Sequence, residues 1–238
     1  MSEPEDRRRM VRAPTSGDPA GRASADRLKS SRKHTASSQK WLERQLNDPY
    51  VQRAHAEGWR SRAAFKLMEI DDRFGLLRSG LRVIDLGAAP GGWVQVALKR
   101  GASAVAGVDL LPIDPIRGAD LIEADFTTPG VGEQLLDLLG GPPDLVLSDM
   151  AHNTVGHRQT DHLKIVGLIE AAADFALANL KPGGGFVVKT FQGGAAGDIL
   201  AHLKAGFTDV KHVKPKASRS DSSEVYLVAT GCRVERGR

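Results

Sequence analysis

The chain has 238 residues, 41% of them apolar, a formal net charge of +4 and a single cysteine. This length suits one α/β domain with a substantial core and leaves little room for two. Cys232 alone excludes an intramolecular disulfide and a cysteine-rich zinc site, and no apolar run approaches the eighteen or so residues of a membrane span. A cytoplasmic protein without a membrane partner is expected.

The charge is uneven. Residues 1–40 carry ten Lys and Arg against five Asp and Glu, whereas the rest of the chain carries 23 against 24. Rich in Ser, Pro and Gly, residues 1–40 bury too little apolar surface to offset the entropy of ordering them. They are expected to form a disordered basic tail, with residues 41–238 as the folded domain. Loose, salt-sensitive attraction to phosphates and simple solubilisation are equally open uses for such a tail.

In chain order, helical material is expected from Trp41 to about Glu57. Ser61 then stands where an N-cap would open a second helix carrying Phe65, Leu67, Met68 and Ile70. From Leu81 onward short apolar runs alternate with amphipathic segments. Strands are predicted at 81–85, 104–109, 120–124, 144–148 and 184–190, and helices near 91–100, 130–140, 160–180 and 195–205. The alternation predicts an α/β fold with a mostly parallel sheet covered on both faces. Two last strands, 207–213 and 223–230, have no helix between them, so they complete seven strands as an antiparallel hairpin at the edge.

The stretch Asp85-Leu86-Gly87-Ala88-Ala89-Pro90-Gly91-Gly92-Trp93 joins the first strand to the next helix. Without Cβ atoms at Gly87, Gly91 and Gly92, a small ligand can approach the backbone closely. The spacing matches neither the dinucleotide fingerprint G-x-G-x-x-G nor a P-loop. Asp85 at the strand end suits a ligand with a cationic amino-acid end, and Asp109, ending the second strand, is placed to accept two ribose hydroxyls. Together these features point to S-adenosylmethionine as cofactor in a Rossmann-like fold. Trp93, just after the glycine turn, suits a core position and a contact with adenine alike, and the contact is the expectation.

In an open α/β sheet the ligand crevice lies at the carboxyl ends of the parallel strands. Asp85, Asp109, Asp125, Asp149 and Lys189 all fall at or just past such ends. Glu224 opens a strand running the opposite way and so reaches the same rim, which Lys66 on the second helix joins. Two lysines thus alternate with two carboxylates. A ribose hydroxyl is a weak nucleophile, so accepting a methyl group from a sulfonium requires it to be held in line and its proton removed. A lysine amine can take that proton, and a lysine that stays charged can stabilise the alkoxide. His152, His157 and His162 recur every five residues, a spacing that puts no two on one helix face, and no metal is called for.

Six segments resemble one family. They are Ser61-Arg62-Ala63-Ala64-Phe65-Lys66-Leu67, the loop Asp85 to Trp93, Asp109-Leu110-Leu111-Pro112, Ser148-Asp149-Met150-Ala151, Val187-Val188-Lys189-Thr190-Phe191-Gln192-Gly193 and Ser223-Glu224-Val225-Tyr226. In this order they resemble the heat-shock-induced large-subunit ribosomal RNA methyltransferases, the RlmE or FtsJ/RrmJ family, over about Trp41 to Gly231. The resemblance implies a tetrad of Lys66, Asp149, Lys189 and Glu224, with Lys189 as proton acceptor, and cofactor contacts from Gly91, Trp93, Asp109, Asp125 and Asp149. It implies methylation of a uridine ribose 2′-oxygen in 23S rRNA of the 50S subunit. Two departures stand out: His152 occupies a position where the family usually has proline, and the segment before Trp41 exceeds what the family core requires.

Arg44, Arg53, Arg60 and Arg62 on one side and Lys211, Lys214, Lys216 and Arg219 in the final hairpin turn are expected to overlook the rim as a phosphate track. A monomer is expected. The competing readings are the same chemistry on tRNA or an mRNA cap, an assembly factor without catalysis, and an oxidoreductase that binds NAD.

Overall fold

The computed structural model describes residues 47–151, 158–192 and 196–233. The expected tail, a helical start at Trp41, Arg44, His152 and His157 lie outside the described residues. By contact the chain divides into Met1–Asn47 and Asp48–Arg238, and every described element belongs to the second unit. In order they are α1 (Pro49–Glu57), α2 (Ala63–Phe74), β1 (Arg82–Leu86), α3 (Gly92–Lys99), β2 (Ala104–Asp109), β3 (Ala119–Glu123) and α4 (Val131–Leu139). There follow β4 (Leu145–Ser148), α5 (Arg158–Asn179), β5 (Gly185–Phe191), α6 (Ala196–Gly206), β6 (Phe207–Val213) and β7 (Glu224–Cys232). No described helix is long and apolar enough to cross a membrane.

One seven-stranded sheet has the order β3-β2-β1-β4-β5-β7-β6. The first five strands are mutually parallel, and β7 runs antiparallel to both β5 and β6. The expected architecture is therefore present, including the edge hairpin. Side chains alternate between faces with period two. On one face Ile84, Leu86, Val146, Phe186 and Val188 pack with α4, α5 and α6. On the other, Val83, Val105, Leu145, Leu147, Val187, Tyr226 and Val228 pack with Ala64, Leu67 and Ile70 of α2 and with α3.

The second face decides where the polar side chains go. Asp85 follows Val83 by two positions, Asp149 follows Leu147, Lys189 follows Val187, and Glu224 precedes Tyr226. Each continues the alternation of the face covered by α2, at the end of the sheet where the parallel strands finish. Pairing of Lys189 with Tyr226 and of Phe191 with Glu224 brings the start of β7 to that same end.

The start of α2 differs from expectation. Its N-cap is Arg62, which is already helical and makes no side-chain cap bond, while the Ser61 hydroxyl is buried without a hydrogen-bond partner among the described residues. Ser61 packs instead against Gly92, where any Cβ would collide with its hydroxyl. Close approach of α2 to the glycine loop outweighs capping here. The side-chain cap lies one helix earlier, where Asp48 accepts from the Tyr50 N–H at 3.0 Å with Pro49 at the first helical position.

Candidate active site

Four elements deliver the four charged side chains to one place. Lys66 of α2 pairs with Glu224 at 2.7 Å, and Lys189 at the end of β5 pairs with Asp149 at 3.0 Å. All four side chains are at least four-fifths buried. Tyr226 joins the two pairs: its hydroxyl donates to Asp149 Oδ1 at 2.8 Å and accepts from Lys66 Nζ at 3.2 Å. The order around the site is thus Glu224, Lys66, Tyr226, Asp149, Lys189. Lys189 Nζ also donates to the Asp149 carbonyl at 2.6 Å. Sequence reasoning missed Tyr226, although it stands two residues after Glu224 on a strand and directly opposite Lys189.

Burial alone would raise the Asp149 carboxyl, but the ammonium groups of Lys189 and Lys66 and the hydroxyl of Tyr226 outweigh it and hold the group below its ordinary value. With the folded value depressed, the stabilisation from Asp149 is complete at neutral pH and is lost only as pH falls through that lowered value, below the roughly 3.9 of a free aspartate. Tyr226 is pushed well up by burial and by the carboxylates of Asp149 and Glu224, so it remains a protonated donor.

Beside this cluster lies a cavity lined by Gly87, Asp109, Leu110, Asp125, Phe126 and Met150, among others. Gly87 has φ +84°, and a Cβ there would stand 2.8 Å from the main-chain nitrogen of Met150. Only glycine lets the loop pass so close. Asp109 accepts from the Ala89 N–H through one carboxylate oxygen and from the Leu111 N–H through the other, both at 2.9 Å. It therefore fixes the glycine loop while each oxygen retains capacity for a further donor. Asp125 accepts from the hydroxyl of Thr127 at 2.7 Å and from its N–H at 2.9 Å, which lowers its carboxyl.

Asp85, Gly91, Trp93 and Asp149 do not line the cavity itself. Gly91, with φ +109°, caps the N-terminus of α3, where the first-turn N–H groups lack helical partners and favour a negative charge. The Trp93 side chain, expected to touch the adenine, is packed against α2 and Tyr226. Its indole is 3% exposed, donates to the Ala63 carbonyl at 2.8 Å and lies against the ring of Tyr226 with centroids 5.8 Å apart. The ring packs in the core because its place in the first turn of α3 points it at α2.

Asp85 is 1% exposed, and neither carboxylate oxygen has a hydrogen-bond partner among the described residues. Burial first, then the charges of Asp149 and Asp109, raise its carboxyl well above the ordinary value. A group with a raised folded value stabilises the fold at low pH and loses that advantage as pH rises through the folded value. Asp85→Asn is therefore expected to raise the thermal midpoint at pH 7.5 by roughly 3–6 °C, about 1–2 kcal/mol, with the gain vanishing near pH 4. Calorimetric melts at the two pH values check this.

Much of the expected phosphate track is engaged within the fold. Arg60 donates to the carbonyls of Pro90 at 3.1 Å, Asp114 at 2.6 Å and Pro115 at 2.9 Å, fastening the glycine loop to the segment after β2. Arg62 pairs with Asp48 at 2.6 Å, and Arg219 joins the same carboxylate at 3.2 Å. Arg53 bonds to Glu57, Lys214 to the Ser222 carbonyl, and Lys211 lies within β6 rather than in the turn, paired with Asp209. A single ammonium cannot span three carbonyls as a guanidinium fork does.

Residues 59–232 match the profile of the FtsJ-like methyltransferases. A ribosomal RNA large subunit methyltransferase E from Caulobacter vibrioides is 60% identical over 93% of this chain and 98% of its own length. The enzyme of the same name from Acidiphilium cryptum is 63% identical over 90% of this chain and 95% of its own. Among solved structures, a ribosomal RNA methyltransferase from Plasmodium falciparum superposes with a TM-score of 0.65 at 29% identity, covering 73% of this chain and 98% of that one. A hemolysin from Streptococcus thermophilus, at 17% identity and a TM-score of 0.55, shares the fold alone. With a strand-end cluster of paired lysines and carboxylates beside a glycine-lined cavity, and with relatives matched over nearly their whole length, this chain belongs to the FtsJ-like methyltransferase family and is an enzyme.

Proposed function

We propose that the protein transfers a methyl group from S-adenosylmethionine to the 2′-oxygen of a uridine ribose in 23S rRNA of the large ribosomal subunit. The observation that carries the reading is the meeting of Lys66–Glu224 and Lys189–Asp149 through Tyr226 beside the cavity. The donor fits the residues present. Asp85 is a buried carboxyl with no donor among the described residues, matched to an amino-acid ammonium; the N-terminus of α3 after Gly91 suits the carboxylate at that same end; and Asp109 keeps acceptor capacity for ribose hydroxyls. Gly87, Asp125 and the main chain at Trp93 complete the set. When bound, the sulfonium supplies an electrophilic methyl carbon.

The chain's own residues manage the hydroxyl and its proton. Lys189 donates to both the carboxylate and the carbonyl of Asp149, which fixes its nitrogen. Once it has given up one of its own protons, its lone pair takes the hydroxyl proton of the substrate. Asp149 thereby orients the acceptor and stabilises the ammonium that results. Lys66, held by Glu224 and Tyr226, keeps a positive charge near the oxygen as it acquires negative character. Tyr226 stays protonated and keeps the two ion pairs in register. All these groups come from one chain, so a monomer suffices.

Labelled methyl transfer to large subunits purified from cells lacking the enzyme tests the reading, with small subunits and bulk tRNA in parallel. Label in the large-subunit rRNA supports it; label in tRNA alone overturns the choice of substrate.

A further inference from the structure

Arg62, Lys66 and Glu69 are spaced four and three residues apart and so share one side of α2. Arg62 and Glu69 reach the connection between β6 and β7, and Lys66 between them reaches Glu224, the first residue of β7. Arg62 donates to the Ala217 carbonyl, and the Glu69 carboxylate accepts from the N–H groups of Lys216 at 2.5 Å and Ala217 at 3.1 Å. The main chain of Ala217 is therefore gripped at both its donor and its acceptor, and its side chain is fully buried with Ala54 and Phe65. Arg62 is itself fixed by Asp48, which also takes Arg219 from the far side of the connection.

The residue delivered by this strap is Ser218. It is 7% exposed, and its hydroxyl donates at 2.8 Å to Glu224 Oε1, the same oxygen that pairs with Lys66. A glutamate opening a strand has three side-chain torsions to settle. The hydroxyl and the ammonium together leave its carboxylate one arrangement.

We propose that Ser218 is a positioning residue for the Lys66–Glu224 pair, held in place by Arg62 and Glu69 so that the helix carrying Lys66 also sets the acid facing it. The proposal rests on the reading of this cluster as the methyl-transfer site. Ser218→Ala should lower turnover about tenfold with the KM of donor and of RNA within twofold, since the missing hydrogen bond is charge-assisted. Ser218→Thr, which keeps the hydroxyl, should return to within threefold of the wild type. In a Glu224→Ala background, Ser218→Ala should cost less than twofold, because the partner through which it acts is gone.

A measurement independent of turnover accompanies the kinetics. Competitive acetylation of the free enzyme, read by mass spectrometry, should show Lys66 labelled at least threefold faster in Ser218→Ala and Lys189 unchanged. Equal losses in both backgrounds, a threonine variant as poor as alanine, or unaltered Lys66 labelling would overturn the proposal. Failure of the wild-type enzyme to methylate large-subunit RNA would overturn the reading of function instead, and the labelling would still decide the role of Ser218.

Discussion

Replacing Lys189 by alanine is expected to lower turnover by a factor of about 10²–10⁴, the contribution typical of a positioned proton acceptor, while donor affinity stays within about twofold. Lys189 is 8% exposed near the end of β5, directly after the buried Phe186, Val187 and Val188, and it bonds to both the carboxylate and the carbonyl of Asp149. A charged side chain so placed without a task would be a poor choice for a sheet interior. The variant leaves Asp149 with the Tyr226 hydroxyl and with Lys66 nearby, so the site is impaired in chemistry more than in structure. Single-turnover rates and calorimetric donor titration separate the two quantities. Wild-type turnover in Lys189→Ala would show that proton removal lies elsewhere.

The second large effect belongs to donor binding. Asp109→Ala should weaken donor affinity by about 30–100-fold, with turnover at saturating donor retained within a few-fold. Two losses add. The ribose hydroxyls lose a charged acceptor, worth about 1.5–3 kcal/mol in a partly buried setting, and the N–H groups of Ala89 and Leu111 lose the carboxylate that pins the loop. Asp109→Asn should fall between the two, since an amide oxygen can still accept from one of those N–H groups. Titration calorimetry measures the constants, and an affinity unchanged in Asp109→Ala would remove this residue from the donor site.

The comparison of Lys189 with Trp93 shows where the sequence is legible. Lys189, Asp149, Asp85 and Glu224 could be placed because strand parity and the strand-end rule act locally: a residue two positions beyond a buried valine or leucine shares its face, and a reversed strand starts where its neighbours stop. The seven-stranded sheet followed from the same alternation. Trp93 could not be assigned this way, since its side-chain direction depends on α2 lying against α3, a contact across thirty residues of sequence. Ser61 and Arg62 exchanged roles for the same reason, as packing against Gly92 claimed the serine.

The arginines were read least well. From sequence, a basic residue near the rim looks like a phosphate ligand, yet Arg60 serves carbonyls 30 to 55 residues away and Arg62 serves Asp48 and the main chain of Ala217. Carbonyls leave no trace in the identity of the residues that carry them. Tyr226 was hidden differently: an aromatic in a buried strand reads as core, and here it is core that also presents a hydroxyl to both ion pairs.

The chemistry at the centre is a proton leaving a ribose hydroxyl as its oxygen gains a methyl group. The most direct test is to methylate enzyme-deficient large subunits with labelled donor and hydrolyse the rRNA in alkali. A 2′-O-methyl group blocks cleavage at its own phosphodiester, so the expected result is label recovered in one alkali-resistant dinucleotide containing uridine, appearing at least about 10²-fold more slowly with Lys189→Ala. Label released in mononucleotides, as a methyl on a base would be, contradicts it.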